Sequence, residues 1–250
     1  MTFELDLGNL TVRRKEKSMF NFLVTAEGGL TTAGYAVSVI AVLILIILVA
    51  VLLQKNTSAL KFTTHQLVTC AAALALAYVT SYIKIFKLPF GGSVTLFSML
   101  FIVLIGYWYG IKVGILTGLV YGIFQFLQEP YVLSFFQVCC DYILAFGAMG
   151  LSGLFTKSRK HGLLKAYILA ILARGAFHAL GGYLYWMDYM PDNFPKSLTA
   201  LYPIIYNYSY ILLEGVLTIV VISIPAVSRA LGRMRIMATG GNRQSAATEK

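Results

Sequence analysis

Residues 174–207 read RGAFHALGGYLYWMDYMPDNFPKSLTALYPIIYN. Two apolar segments flank the polar turn MPDNFPKS, so the stretch predicts two membrane helices joined by a short outer loop. Arg174, His178, Trp186, Tyr202 and Asn207 lie in or beside those segments. Ionisable and amide groups are costly in hydrocarbon, so their presence there marks a candidate site, here for a small polar ligand with rings.

The composition of the whole chain supports the membrane reading. It is 58% hydrophobic and 12% charged, against about 25% charged in soluble domains. Apolar runs near the ~20 residues needed to span a bilayer fall at about 33–53, 64–83, 94–109, 111–127, 133–155, 164–186 and 203–226. The predicted class is all-α, a polytopic membrane helix bundle with a six-helix core and one extra N-terminal transmembrane helix. The expected parts are an N-terminal tail (1–32), that helix with its linker (33–59), the six-helix substrate-binding domain (60–230) and a basic cytoplasmic tail (231–250). No cleavable signal peptide is expected, because the first strongly apolar run follows the mixed segment RRKEK at 13–17.

The net charge of +10 is explained without nucleic acid, because the basic residues fall between spans. Placing the C-terminus inside gathers Arg229, Arg233, Arg235, Arg243 and Lys250 with Lys157, Arg159, Lys160, Lys165, Lys55, Lys61 and Lys112 on the cytoplasmic side. Seven spans would leave Arg13, Arg14, Lys15 and Lys17 outside, so the first apolar run is treated as an addition to a core over 64–226.

Two small-residue stripes suggest where helices approach closely. Gly106, Gly110, Gly114, Gly118 and Gly122 recur every fourth residue, as do Ala71 with Ala75 and Ala73 with Ala77. Such spacing leaves a bare strip along a membrane helix. The alanines suit packing inside the fold or docking to another membrane protein.

Depth brings the polar residues together. At ~1.5 Å per residue, His178 lies about 12 Å below the outer end of its helix, and Asp141 lies equally deep on the antiparallel helix that begins near Leu133. Ser134, Gln137 and Asp141 share one helical face. Tyr202 and Asn207 open the last span at its outer mouth, where Pro203 suits a first helical turn. Arg174 and Glu214 lie deeper, at about 18 and 17 Å, and predict a structural ion pair. Each residue also has a plainer role: His178 as a packed polar side chain, Trp186 and its neighbouring tyrosines as an interfacial belt.

The chain has no GxxxxGK[ST] phosphate loop and no HExxH, and its three histidines fall at separate depths. Cys70, Cys139 and Cys140 show no ligand spacing and read as apolar packing residues. No metal or cofactor is expected. No nucleophile motif accompanies Asp141 and His178, so binding without catalysis is the simpler account.

These residues resemble the thiamine-specific S-components, the substrate-binding subunits of bacterial energy-coupling-factor vitamin importers. The resemblance spans about residues 60–230 and rests on YVLSFFQVCCDYILAF at 131–146, on the His178, Trp186, Tyr202, Asn207 series, and on FKLPFGGSVTLFSML at 86–100. It implies that Asp141 and Tyr142 stand at the family's Glu-Tyr pair, with the carboxylate near the thiazolium and the aminopyrimidine. It places the binding His, stacking Trp, Tyr and Asn on His178, Trp186, Tyr202 and Asn207; Gln137 joins the candidate binding residues by sharing the helical face of Asp141. It implies partners as well: thiamine, a transmembrane coupling subunit docked on Ala71, Ala73, Ala75 and Ala77, two cytoplasmic ATPases, and the lipid of the bacterial cell membrane. Asp141 is one methylene shorter than the usual Glu, and Gly92 stands where some members carry a first-loop Trp, leaving that wall to Phe90 or another aromatic. A subunit for a different small heterocycle is the nearest alternative; a membrane enzyme using Asp141 and His178, or a scaffold protein, is more distant.

Overall fold

The computed structural model describes residues 22–25, 29–40, 62–158 and 161–240, with the side chain of Phe90 excepted. The chain divides into two compact units: residues 1–61 with 126–135, and residues 62–125 with 136–250. In the first, Val24 bridges Leu30 in antiparallel fashion. Residues 32–40 there are helical, with the Thr31 hydroxyl accepting the Gly34 N–H at the helix start. Most of the expected span at 33–53, and the basic cluster at 13–17, lie outside the described residues.

The second unit is built on helices. These are α1 (Thr64–Ser81), α2 (Ser98–Tyr109), α3 (Ile111–Gln128), the composite α4 (Phe135–Phe155), α5 (Gly162–Tyr185), α6 (Tyr202–Ser223) and α7 (Pro225–Thr239). By length and composition α3, α4, α5 and the segment Lys196–Ser223 can cross a membrane, and α2 is a shorter apolar helix. α1 opens on a capping box, in which Thr63 and Gln66 satisfy each other's backbone N–H groups.

Three local departures shape the fold. The run expected as one span from 94 begins as a strand, β2 (Ser93–Thr95), paired antiparallel with β1 (Lys84–Lys87). The glycine stripe belongs to two helices, because Gly110 takes φ +95 at the break between α2 and α3. Third, α4 changes pitch along its length, with a π segment at Cys139–Leu144 and a 3-10 segment at Met149–Phe155.

The glycines explain the close packing around that pitch change. A Cβ added at Gly118 or Gly122 would run into the carbonyls of Phe146 and Tyr142, and one at Gly150 would meet the backbone of Gly114 and Ile115. α3 and α4 therefore touch backbone to backbone, which gains dispersion contact where lipid offers no hydrophobic drive. Ala73 and Ala77 of α1 are buried in the same core, while Ala71 and Ala75 are exposed.

Glu214 replaces its expected ion pair with a loop contact. Its Oε2 accepts from the Thr95 N–H and hydroxyl, both at 2.8 Å, and its Oε1 accepts from the Met99 N–H at 3.3 Å. The first turn of α2 has no local side-chain cap, and Phe97 before it is left-handed (φ 59). A carboxylate from α6 thus serves as a long-range N-cap, satisfying orphan amides and complementing the helix dipole. The expected depth match with Arg174 did not identify these partners.

Candidate functional site

The site gathers on Asp141, within the π segment of α4. π turns widen a helix and often mark functional positions. Gln137 Nε2 donates to Asp141 Oδ2 at 2.7 Å, and Trp186 Nε1 donates to the same oxygen at 3.1 Å. His178 Nδ1 lies 3.3 Å from Asp141 Oδ1. The His178 and Asp141 side chains are 11% and 13% exposed, so the pair is largely shielded from bulk water.

The tautomer of His178 follows from its other neighbour. Arg174 Nε lies 3.3 Å from His178 Nε2, and a guanidinium can only donate. Nε2 must then carry a lone pair, which puts the ring proton on Nδ1, facing Asp141. The chain Arg174→His178→Asp141 is thereby polarised in one direction. Arg174 also lies 4.5 Å over the Phe146 ring, a cation–π contact that helps hold its charge inside the bundle.

Arg174 therefore belongs to the site rather than beneath it, and no direct Arg174–Glu214 ion pair forms among the described residues. The imidazole is held edge-on between Phe146 and Tyr210, each with its ring centroid 6.3 Å from that of His178. Asn207 acts one step further out. It accepts from the Tyr210 hydroxyl at 3.1 Å and donates to the Pro203 carbonyl at 2.8 Å.

Glycines set how near the three helices come. A Cβ at Gly181 would sit 2.7 Å from Asp141 Oδ1, and one at Gly182 would sit 2.7 Å from Pro203 Cβ and 3.2 Å from Asn207 Nδ2. Gly181 thus admits α4 and Gly182 admits α6. Trp186 caps α5 and packs against Tyr189 with ring centroids 5.2 Å apart. Tyr202 lies in an aromatic row, 5.1 Å from Phe194 and 5.8 Å from Tyr206. Tyr142 packs on the buried core.

Of the residues that sequence reasoning singled out, Gln137, His178 and Trp186 all meet Asp141. It missed Tyr210, which continues the aromatic row one turn at a time from Tyr202 and Tyr206. It also missed what Gly92 does: a Cβ there would lie 2.7 Å from the Tyr210 ring. The first loop settles directly on Tyr210 because position 92 has no side chain.

The profile of the family described as thiamine transporter protein matches residues 67–232. The chain belongs to the thiamine transporter protein family. Among its relatives, the thiamine transporter ThiT of Bacillus subtilis (strain 168) is 31% identical over 170 residues, which cover 61% of this chain and 83% of that protein. A solved structure of ThiT from Listeria monocytogenes superposes with a TM-score of 0.55 at 24% identity, covering 64% of this chain and 94% of that one. As a member of the thiamine transporter family, this chain is a multi-pass bacterial membrane protein of thiamine uptake, not an enzyme.

Proposed function

We propose that this protein binds thiamine in an outward-facing pocket and serves as the substrate-binding subunit of an ATP-driven energy-coupling-factor importer. The observation that carries the reading is the Trp186 indole hydrogen-bonded to the Asp141 carboxylate. It holds an aromatic face beside a fixed negative charge. A flat cationic ring gains from both, by stacking with cation–π attraction and by direct charge pairing. His178, Tyr202, Asn207 and Tyr142 would complete the recognition, with Tyr210 forming the wall at Gly92.

The site lies among the outer ends of α4, α5 and α6, opposite the lysine- and arginine-rich end of the bundle. With no phosphate loop in the sequence, ATP hydrolysis falls to two cytoplasmic ATPases acting through a membrane coupling subunit. Ala71 and Ala75, on the exposed face of α1, are the alanines able to dock it, since Ala73 and Ala77 are buried.

The purified chain tests this by its intrinsic fluorescence. Trp186 and Trp108 are its two tryptophans, and Trp108 is 6% exposed among core residues. Thiamine should quench the emission of Trp186, and Trp186→Phe should remove the response. Quenching by riboflavin or biotin but not by thiamine would overturn the assignment.

A further inference from the structure

Thiamine recognition makes no use of α7. α6 ends at Ser223, Ile224 turns extended (ψ 124), and Pro225 opens α7 at once. The far part of α7 is tied to the last turn of α2. Arg235 donates to the Tyr107 hydroxyl at 2.8 Å and to the Thr156 carbonyl, and its guanidinium lies 4.4 Å over the Tyr107 ring. The Tyr109 hydroxyl donates to the Ala238 carbonyl at 2.9 Å. Both ends of α7 thus meet the ends of bundle helices, so its axis runs across the end of the bundle.

The faces of α7 suit that position. Val227, Leu231, Arg235 and Ala238, spaced four, four and three residues apart, turn toward the bundle and are half-buried. Ala226, Ala230, Met234 and Met237 form an exposed apolar edge, with Met234 44% and Met237 66% exposed. Arg229 and Arg233, one turn apart, flank that edge. Both are exposed, and neither side chain makes a hydrogen bond or ion pair among the described residues. Ser228 and Gly232 lie on the opposite flank, beside a cavity of about 500 Å³ shared with His161 and Arg235. Ile236 is the one large apolar side chain of α7 outside this pattern.

We propose that α7 is an in-plane interfacial helix that binds acidic phospholipid of the cytoplasmic leaflet. Met234 and Met237 enter the acyl boundary, and Arg229 and Arg233 reach the headgroup phosphates from the same edge. Charge complementarity selects this occupant: no acidic residue lies within 225–239, and the arginine-bearing end is the one that positive-inside bias assigns to the anionic leaflet. The site is independent of thiamine recognition, and the family profile ends at residue 232, within α7.

The full chain in phosphatidylcholine nanodiscs, titrated with phosphatidylglycerol, tests the proposal through retained lipid by native mass spectrometry and through the thermal unfolding midpoint. Wild type should prefer phosphatidylglycerol, and raising the salt should weaken that preference. Arg229→Gln with Arg233→Gln should lower the apparent phosphatidylglycerol affinity about thirty-fold, roughly fivefold per arginine, with thiamine affinity unchanged. Equal retention of the two lipids by wild type, or an unaltered preference in the double variant, would overturn it. So would the same stabilisation by inorganic phosphate alone, which would indicate a soluble-anion site. A double variant that loses assembly with ATPase partners while keeping its lipid preference would make α7 a protein-docking face and equally end the proposal.

Discussion

Replacing Asp141 by Asn isolates charge from shape. The carboxylate has three neighbours, with Gln137 and Trp186 on Oδ2 and His178 on Oδ1. An asparagine oxygen in the Oδ2 position keeps the first two, but its amide then faces the His178 Nδ1 proton. Turning the tautomer would place that proton on Nε2, against the Arg174 Nε–H. One donor is left facing another either way, so loss of a single hydrogen bond, about 1 kcal/mol, is common to all ligands. A cation about 4 Å from the lost charge forfeits more. At an effective dielectric of about 20 the pair is worth ~4 kcal/mol, and with Asp141 at 13% side-chain exposure solvent screening reduces this to roughly 2 kcal/mol. At 1.4 kcal/mol per decade, thiamine should lose about thirty-fold more affinity than a neutral analogue lacking the thiazolium charge. Fluorescence titration of both ligands against wild type and D141N measures the ratio, with the unliganded melting temperature as a control for folding. Equal losses would refute the cation role of Asp141.

Other substitutions probe different parts of the molecule. Gly181→Ala places a methyl 2.7 Å from Asp141 Oδ1 and should weaken thiamine binding at least tenfold while the helices stay assembled, as circular dichroism would show. Glu214→Leu leaves the buried Thr95 and Met99 amides without their acceptor and should cost about 3 kcal/mol or more, read as a large drop in melting temperature, with Glu214→Gln milder. Ala75→Trp should fold and bind thiamine yet abolish uptake in cells if α1 docks a coupling subunit, whereas Ala77→Trp, at a fully buried position, should fail to fold; normal uptake by A75W would remove that face from the docking proposal.

Apolar run length found the helices that became α3 to α6, because spanning a bilayer imposes a minimum length that composition reveals. Depth bookkeeping found the Asp141–His178 contact for a similar reason: antiparallel helices with a fixed rise bring equal depths together. The same bookkeeping misled for Glu214. Its partners are backbone amides, which no pattern of side-chain charges discloses. Nor did CCDYIL announce a π segment, since its residues favour no particular helical pitch. The strand at Ser93–Thr95 was hidden inside an apolar run, and α7 from residue 231 onward read as tail because its arginines interrupt the hydrophobic pattern that marked the other helices.

The change of pitch at Cys139–Leu144 makes the site sensitive to chain length as well as to chemistry. A wide turn accommodates an additional residue without displacing what precedes it, so it acts as an indel absorbed into the helix. Without that wide turn, the same extra residue would rotate everything on one side of it by ~100° relative to the other. Asp141 and the Phe146 surface that receives Gly118 could then no longer face their partners together. Two phases of one helix, one serving the ligand and the other the glycine seam, are reconciled by that single wide turn.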